Sequence, residues 1–536
     1  MKFITGQNRE QIHLFPLSVD ASIGTNNEVR MIDLFVDALK LSAYGFRTDF
    51  IENGRPAYHP SDLLKLYIYG YLNKIRSSRD LEKECKRNIE VMWLLQMLQP
   101  DHNTISNFRK DNAKAIKKVF RATVQIAKHF DLIGGKLIAG DSSKLRAQNS
   151  KKNNYNQKKI EHHIAYIEAK VDEYNQALST ADGDEKQELQ KQIQTQLERK
   201  GKYEDISKQL EETGEVQLSA SDPESRQIIT RNNITEVAYN VQTTVDEKHN
   251  IPIDYKVTNE NDSKAMGNMA RRAKSILRTN DFTLLCDKGY HTGSELKTVQ
   301  CLGIESVVAI PAVPSSSMAP DPAYNLSAFT YNPKVNTYTC PQGNTMITNG
   351  TWYKKGRSSK LRKRGDSIMV QHFKTTHCKS CPVINSCTKN TRGRGRVIER
   401  TACASYIEQN RKNVEQKEHL YKRRQAIVEH PYGTIKRQWG FYYILTKKGM
   451  QRASADVGFM FIAYNLRRII NILGQKVLAK YFQVLCPFIL LLSHLIKHKT
   501  GHFKLSDFFI QNNSSFIPIC CKRFIFDENL MQNRGF

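Results

Sequence analysis

Apolar positions in the first 135 residues recur at helical spacing. Between Pro60 and Leu72, the residues Leu63, Leu64, Tyr67 and Tyr71 share one face behind Pro60 and a polar cap, which predicts a helix. Ser77 stands where it can cap a second helix, and Thr104 or Ser106 a third. Residues 1–135 are therefore expected to form a helical N-terminal domain of short helices joined by polar turns.

The period then changes. Lys136-Leu-Ile-Ala-Gly-Asp141 reads as a short buried strand ending in an acid. Over 155–215, Ile160, Ile164, Ile167, Val171, Tyr174 and Leu178, then Leu189, Ile193, Leu197, Ile206 and Leu210, predict two antiparallel helices with a coiled-coil seam, turning at Ala181 to Asp184. Their flanks are charged, so the pair reads as an arm inserted into a domain. Val237 to Val245 alternates, 246–250 turns, and Ile251 to Val257 returns as a hairpin. There follow a helix over 262–278, a second acid-terminated strand from Phe282 to Asp287, a helix over 292–302 and a strand from Glu305. This order, completed by a second insertion and a late helical segment, is that of an RNase H-like fold. The expected class is α/β: an RNase H-like catalytic domain over 136–474, preceded by the helical domain. It carries the coiled-coil arm (155–215) and a Cys-rich, zinc-ribbon-like basic insertion (312–400). A tail over 475–536 has no assigned role.

Charge narrows the partner. The 536 residues hold 81 Lys and Arg against 53 Asp and Glu, a formal charge of +28. Such an excess favours a polyanion, nucleic acid before a membrane surface. It makes Arg76, Arg79, Arg87 and Arg109, beside the N-terminal helices, candidates for DNA contact; the alternative is a bundle that only packs on its neighbour. The first residues lack the apolar core of a signal peptide. The longest apolar run, Val484 to Ile496, is too short to span a bilayer and contains Pro487. No membrane partner and a cytoplasmic location are expected.

Cysteines in this setting read as reduced thiols. Cys378, Cys381 and Cys387 are compact enough to share one ion, with Cys340 supplied from a facing hairpin, and a tetrahedral thiolate shell favours structural Zn²⁺. His372 or His377 could replace a cysteine, and thiols that merely fill a small core are the alternative. The basic runs Lys354 to Arg364 and Arg392 to Arg396 flank them and suit phosphate contacts.

Three acids remain. Glu429 is a lone carboxylate among Lys422, Arg423, Arg424, Lys436 and Arg437, as suits a group that holds a divalent cation while its neighbours hold phosphates. Asp141 and Asp287 end strands, where ligand sites in α/β sheets gather. As alternatives, Asp141 could be a turn residue or a cap, and Glu429 a balancing charge on a basic surface helix. Lys436 follows Glu429 by two helical turns, although Pro431 predicts a kink or restart between them. Trp439, Phe441 and Tyr442, just beyond, could stack on a base or lie in the core.

Several stretches together resemble the DDE transposases of bacterial insertion sequences, in the insertion-sequence-four-like group and its branch numbered eleven-eighty-two. They are Pro60-Ser-Asp-Leu-Leu-Lys-Leu with Arg76-Ser-Ser-Arg79, Asp101-His-Asn-Thr-Ile-Ser-Asn-Phe-Arg109, Asp287-Lys-Gly-Tyr290, and Val428-Glu-His-Pro-Tyr-Gly-Thr-Ile-Lys-Arg437. The resemblance runs from about residue 10 to about 472. It implies that Asp141, Asp287 and Glu429 are a catalytic triad holding two Mg²⁺ (or Mn²⁺) ions, with Asp141 as the bridging ligand. It also implies hydrolysis that frees a 3′-hydroxyl at the element's terminal inverted repeats, and attack of that hydroxyl on target DNA. A DNA-bound homodimer in the bacterial nucleoid follows from the need to cut two ends together. Within the family's Tyr-Arg-Glu-Lys signature, Lys436 keeps its spacing from Glu429. Tyr421 and Arg424 keep their mutual spacing but stand one residue too far from Glu429. Lys436, Arg424, Tyr421, Arg437 and Lys288 are the candidate phosphate and DNA contacts. Two other functions fit the same residues: a transposase-derived DNA-binding protein that no longer cuts, and an RNase H-like nuclease that cuts without joining.

Overall fold

The structure, a computed structural model, describes residues 18–49, 56–230, 234–355, 368–390, 395–446 and 448–484. The apolar run beyond Val484, the rest of the tail and most of both basic runs lie outside the described residues.

Six strands form the central sheet, five of them being β1 (Leu137–Arg146), β2 (Thr235–Asp246), β3 (Ile251–Thr258), β4 (Thr283–Cys286) and β5 (Glu305–Val308). Their order across the sheet is β3-β2-β1-β4-β5, with β1, β2 and β3 antiparallel and β4 and β5 joined to β1 in parallel. Along the chain the strands follow one another as the apolar pattern predicts, in a mixed α/β arrangement. A short strand, Arg226–Ile229, pairs with the start of β2. Alternation sorts the side chains. Leu137, Ala139, Val245, Leu285 and Val307 face one layer, while Ile138, Leu284, Cys286 and Val308 enter the main core on the other.

The helices follow from caps and apolar spacing. The N-terminal ones are α1 (Glu28–Asp37), α2 (Pro60–Leu72), α3 (Ser78–Arg87), α4 (His102–Asp111) and α5 (Ala113–His129). Ser77 caps α3 as expected. For α4 the cap is Asp101, which accepts the Thr104 N–H at 2.8 Å, so neither Thr104 nor Ser106 holds that place. The arm is the antiparallel pair α6 (Gln157–Leu178) and α7 (Gly183–Thr213), closed at its base where Asn154 and Tyr155 pair with Ser219 and Leu218. Its seam is thin: of the expected positions only Ile160, Ile167 and Leu210 are buried among the described residues.

Beyond the sheet come α8 (Met266–Leu277), α9 (Gly293–Cys301), α10 (Ala404–Gln416), α11 (Glu418–Tyr432) and α12 (Met450–Leu473). Helix α12 is buried along most of its length, between β3 on one side and α2, α4 and α5 on the other. Gly458 permits that approach, since a Cβ there would stand 2.6 Å from the Tyr255 hydroxyl and 2.8 Å from Ile116. One core therefore runs from the N-terminal helices through α12 into the sheet. At its centre the fully buried Asp456 accepts from the Tyr71 hydroxyl and the Leu445 N–H (2.7 Å), with Arg76 at 3.4 Å and Arg109 at 3.6 Å. A buried carboxylate persists only with such partners. Arg76 and Arg109, 6 % and 4 % exposed, are thus spent inside the protein rather than offered to DNA.

No helix among the described residues is long and apolar enough to cross a membrane.

Candidate active site

The parallel register of β1 and β4 pairs Ala139 with Leu285, so Asp141 and Asp287, each two residues on, come level with one another. Here the sequence reading is refined. Strand β1 does not stop at Asp141 but runs on to Arg146 against β2, while β4 ends at Cys286. Asp141 thus sits where β1 outruns its parallel neighbour. Gly140 is needed just before it: a Cβ would stand 2.9 Å from Cys286 Sγ and 3.1 Å from Met269 Cε.

Asp141 Oδ1 accepts the Ser142 N–H (2.8 Å), and Oδ2 pairs with the Arg424 guanidinium at 3.2 Å. Only 24 % of its side chain is exposed. Burial raises its carboxyl above the ordinary range, against the opposing charge of Arg424; the nearby Asp287 charge adds to the rise. Asp287 caps the turn after β4, accepting the Gly289 N–H at 2.8 Å.

Helix α11 crosses the sheet face through Ile427 and Val428. This brings Arg424 to Asp141, with the Arg424 guanidinium carbon also 6.0 Å from the Tyr421 ring centroid. Glu429 on the same helix is exposed and accepts from Gln425 Nε2 (2.8 Å). Among the described residues, no three His, Cys, Asp or Glu side chains are gathered closely enough to hold a metal ion. The two aspartates are neighbours, and Glu429 is not drawn into their group.

Pro431 does not break α11. The helix continues to Tyr432 and passes directly into a π-helical turn over Gly433–Gln438. This turn carries Lys436 to β1, where Nζ donates to Ser143 Oγ (3.0 Å) and the Lys144 carbonyl (3.2 Å). Arg437, on the same turn, and Lys288, after Asp287, are exposed. Phe441 is buried beneath the Arg76 guanidinium at 4.5 Å and belongs to the core, Trp439 is half-buried beside it, and Tyr442 is half exposed.

Two groups escaped the sequence reading. Asp262, in the turn after β3, accepts from Asn240 Nδ2 (2.8 Å), Gln242 Nε2 (2.7 Å) and Lys144 Nζ (3.1 Å). Burial would raise its carboxyl, but the Lys144 charge and these hydrogen bonds outweigh it and hold the group below its ordinary value. Its Oδ2 and the Oδ1 of Asp287 lie 3.6 Å and 3.0 Å from the point where a Gly289 Cβ would stand. A third carboxylate therefore flanks the pair. The second group is Tyr432, whose hydroxyl contacts Thr243, the cross-strand partner of Asp141, and donates to the Val241 carbonyl (3.1 Å). The signal for Asp262 was the polar run Asn259-Glu-Asn-Asp262 directly after an alternating strand, which local pattern alone reads as turn chemistry.

In the Cys-rich insertion, Cys340, Cys378, Cys381 and Cys387 line one small cavity together with His377. His372 lies elsewhere, stacked on Tyr353.

Residues 17–111 match the family described as transposase domain (DUF772), and residues 339–470 match the transposase DDE domain. The second segment contains Glu429 and the four cysteines, whereas Asp141 and Asp287 lie between the two. These matches support a DDE transposase family and a DNA-cleaving or DNA-transferring enzyme. No curated protein matches the chain. A solved structure, the synaptic complex of piggyBac transposase with hairpin DNA, is 11 % identical, covers 86 % of this chain and 79 % of its own, and superposes with a TM-score of 0.27.

Proposed function

We propose that this protein is a DNA transposase that binds the terminal inverted repeats of an insertion sequence, cleaves them and joins their 3′-hydroxyls to target DNA. The observation that carries this reading is the pair Asp141, on β1, and Asp287, directly after the adjacent parallel strand β4, with a cation, Arg424, already drawn to Asp141. That arrangement fits Mg²⁺. The donors are hard carboxylate oxygens, and Asp141 already pairs with a cationic group. Asp141 and Asp287 would hold the ions, with Glu429 as the third ligand from α11. When bound, such ions supply activation of the attacking oxygen and stabilisation of the leaving one.

The chain's own residues do the rest. Arg424, at Asp141, and Lys436, at Ser143 and Lys144 further along β1, hold phosphate oxygens once the DNA backbone enters. The exposed Arg437 and Lys288 extend that contact, and Tyr421 supports Arg424. Gly140 and the Tyr432–Thr243 contact keep the Asp141 stretch of β1 in place. The protein acts as a homodimer on paired ends.

The test is incubation with DNA carrying the element's ends and Mg²⁺, comparing wild type with Asp287→Ala and Glu429→Ala. Wild type should nick and join. Each variant should lose at least about a hundredfold in cleavage while binding DNA as before. Binding without any strand broken would favour the DNA-binding reading, and nicking without joining the nuclease reading. Undiminished cleavage by Glu429→Ala would remove it from the ligand set.

A further inference from the structure

The Cys-rich insertion has little to hold its fold. Its described strands, Thr330–Asn332, Thr337–Thr339, Thr345–Met346, Tyr353–Lys354, Met369–Phe373 and Ile398–Thr401, are two to five residues long. Its buried centre is Phe329, Tyr338, Met346, Phe373, Cys387 and Ile398. So small a core contributes little free energy, and units of this kind are usually stapled by disulfides or a metal.

The staple's parts are present. Cys340 sits in a tight turn closed by the Gly343 N–H on its carbonyl (2.9 Å), with Gly343 in the left-handed region at φ +77°. Cys378 and Cys381 come from the short helical turn Thr376–Ser380 and the residue after it, and Cys387 ends the helix Ile384–Cys387. These segments are apart in sequence, yet all four cysteines line one cavity of about 20 Å³, room for an occupant the size of a water molecule. No carboxylate lines it. Gly395, at φ +69°, closes over Cys378: a Cβ there would stand 2.5 Å from the Cys378 Cβ.

We infer that Cys340, Cys378, Cys381 and Cys387 bind one structural Zn²⁺ ion that staples the hairpin turn to the short helices. An all-sulfur set selects zinc over the hard cations suited to the aspartates. The thiols surround the cavity without being drawn to ligand spacing, so zinc loading pulls them inward and releases their protons. Arg396 lines the same cavity and donates to the Cys387 carbonyl (2.9 Å). Burial raises the Cys387 thiol, and the Arg396 charge opposes that rise. The guanidinium therefore compensates the negative charge of a tetrathiolate centre. None of the proposed catalytic acids lines this cavity, so the inference stands apart from the transposase reading.

The experiment uses the full chain purified without chelator or added metal. Elemental analysis should find about one zinc per chain. Cys378→Ser combined with Cys381→Ser should lower it below about a fifth of that, whereas Cys301→Ser and Cys403→Ser should leave it unchanged. Should the double variant not fold, wild type is stripped and reloaded with Co²⁺. Four thiolates then give intense sulfur-to-cobalt charge-transfer absorption and tetrahedral d–d bands, which added zinc abolishes. A zinc-free, folded protein whose four thiols all react with a thiol reagent would overturn the inference. So would two disulfides in the purified chain, or a cobalt spectrum without thiolate bands.

Discussion

At the scale of single residues, the candidate site turns on the charge balance of Asp141. Arg424→Met leaves a mostly buried carboxylate without its cation, and breaking such a pair is costly. Stability should fall by roughly 2 kcal/mol in urea denaturation, the partial exposure of both groups keeping the loss below that of a fully buried pair. Adding Asp141→Asn should restore most of it, because the uncompensated charge is then gone. Asp262 makes a different prediction. Folding holds its carboxyl below the ordinary value, so its stabilisation is complete above about pH 4 and is lost as pH falls through the lowered value. Asp262→Asn should therefore flatten the acid limb of the stability curve below about pH 4, read from denaturant midpoints across pH.

At the scale of elements, the site depends on how strands and helices meet. Gly140→Ala places a methyl against Cys286 and Met269 where β1 passes β4 and α8. The expected cost is about 1–3 kcal/mol. Cleavage should slow more than DNA binding weakens, since the shift falls beside Asp141. Around Asp456, α12 is tied to the N-terminal helices through two guanidinium groups. Arg76→Ala should destabilise by about 3 kcal/mol, with DNA affinity of the remaining folded protein unchanged in a titration at fixed salt. A weakened affinity at full stability would return Arg76 to the DNA interface. Helix α11 shows why a proline rule can mislead: Pro431 sits just before a π turn, and the chain stays helical through it.

At the scale of the molecule, the arm is joined to the body at a narrow base, where 154–155 pair with 218–219. Replacing residues 158–212 with a short Gly-Ser linker should leave the thermal midpoint of the body within a few degrees and alter only assembly on DNA, followed by gel filtration with end DNA. Loss of the folded body would show that the arm belongs to its core.

The periods of apolar residues determined the elements: the arm, the hairpin and the buried runs leading to Asp141 and Asp287 were legible because burial imposes a spacing of two or three to four along the chain, whereas the extension of β1 to Arg146 came from its pairing with β2. Cys378, Cys381 and Cys387 could be grouped because they lie close in sequence, whereas the fold brings Cys340 to the same cavity. Tertiary structure decided what spacing cannot express. Arg76 and Arg109 look like any surface arginines until Asp456, hundreds of residues away, is folded between them. Asp262 read as the start of a helix until the turns after β3 and β4 came together beside Gly289. Arg424, one residue out of its expected spacing from Glu429, reaches Asp141 because α11 is seated on the sheet by Ile427 and Val428. The partner of a charge is set by packing between distant segments, and only the folded chain contains that information.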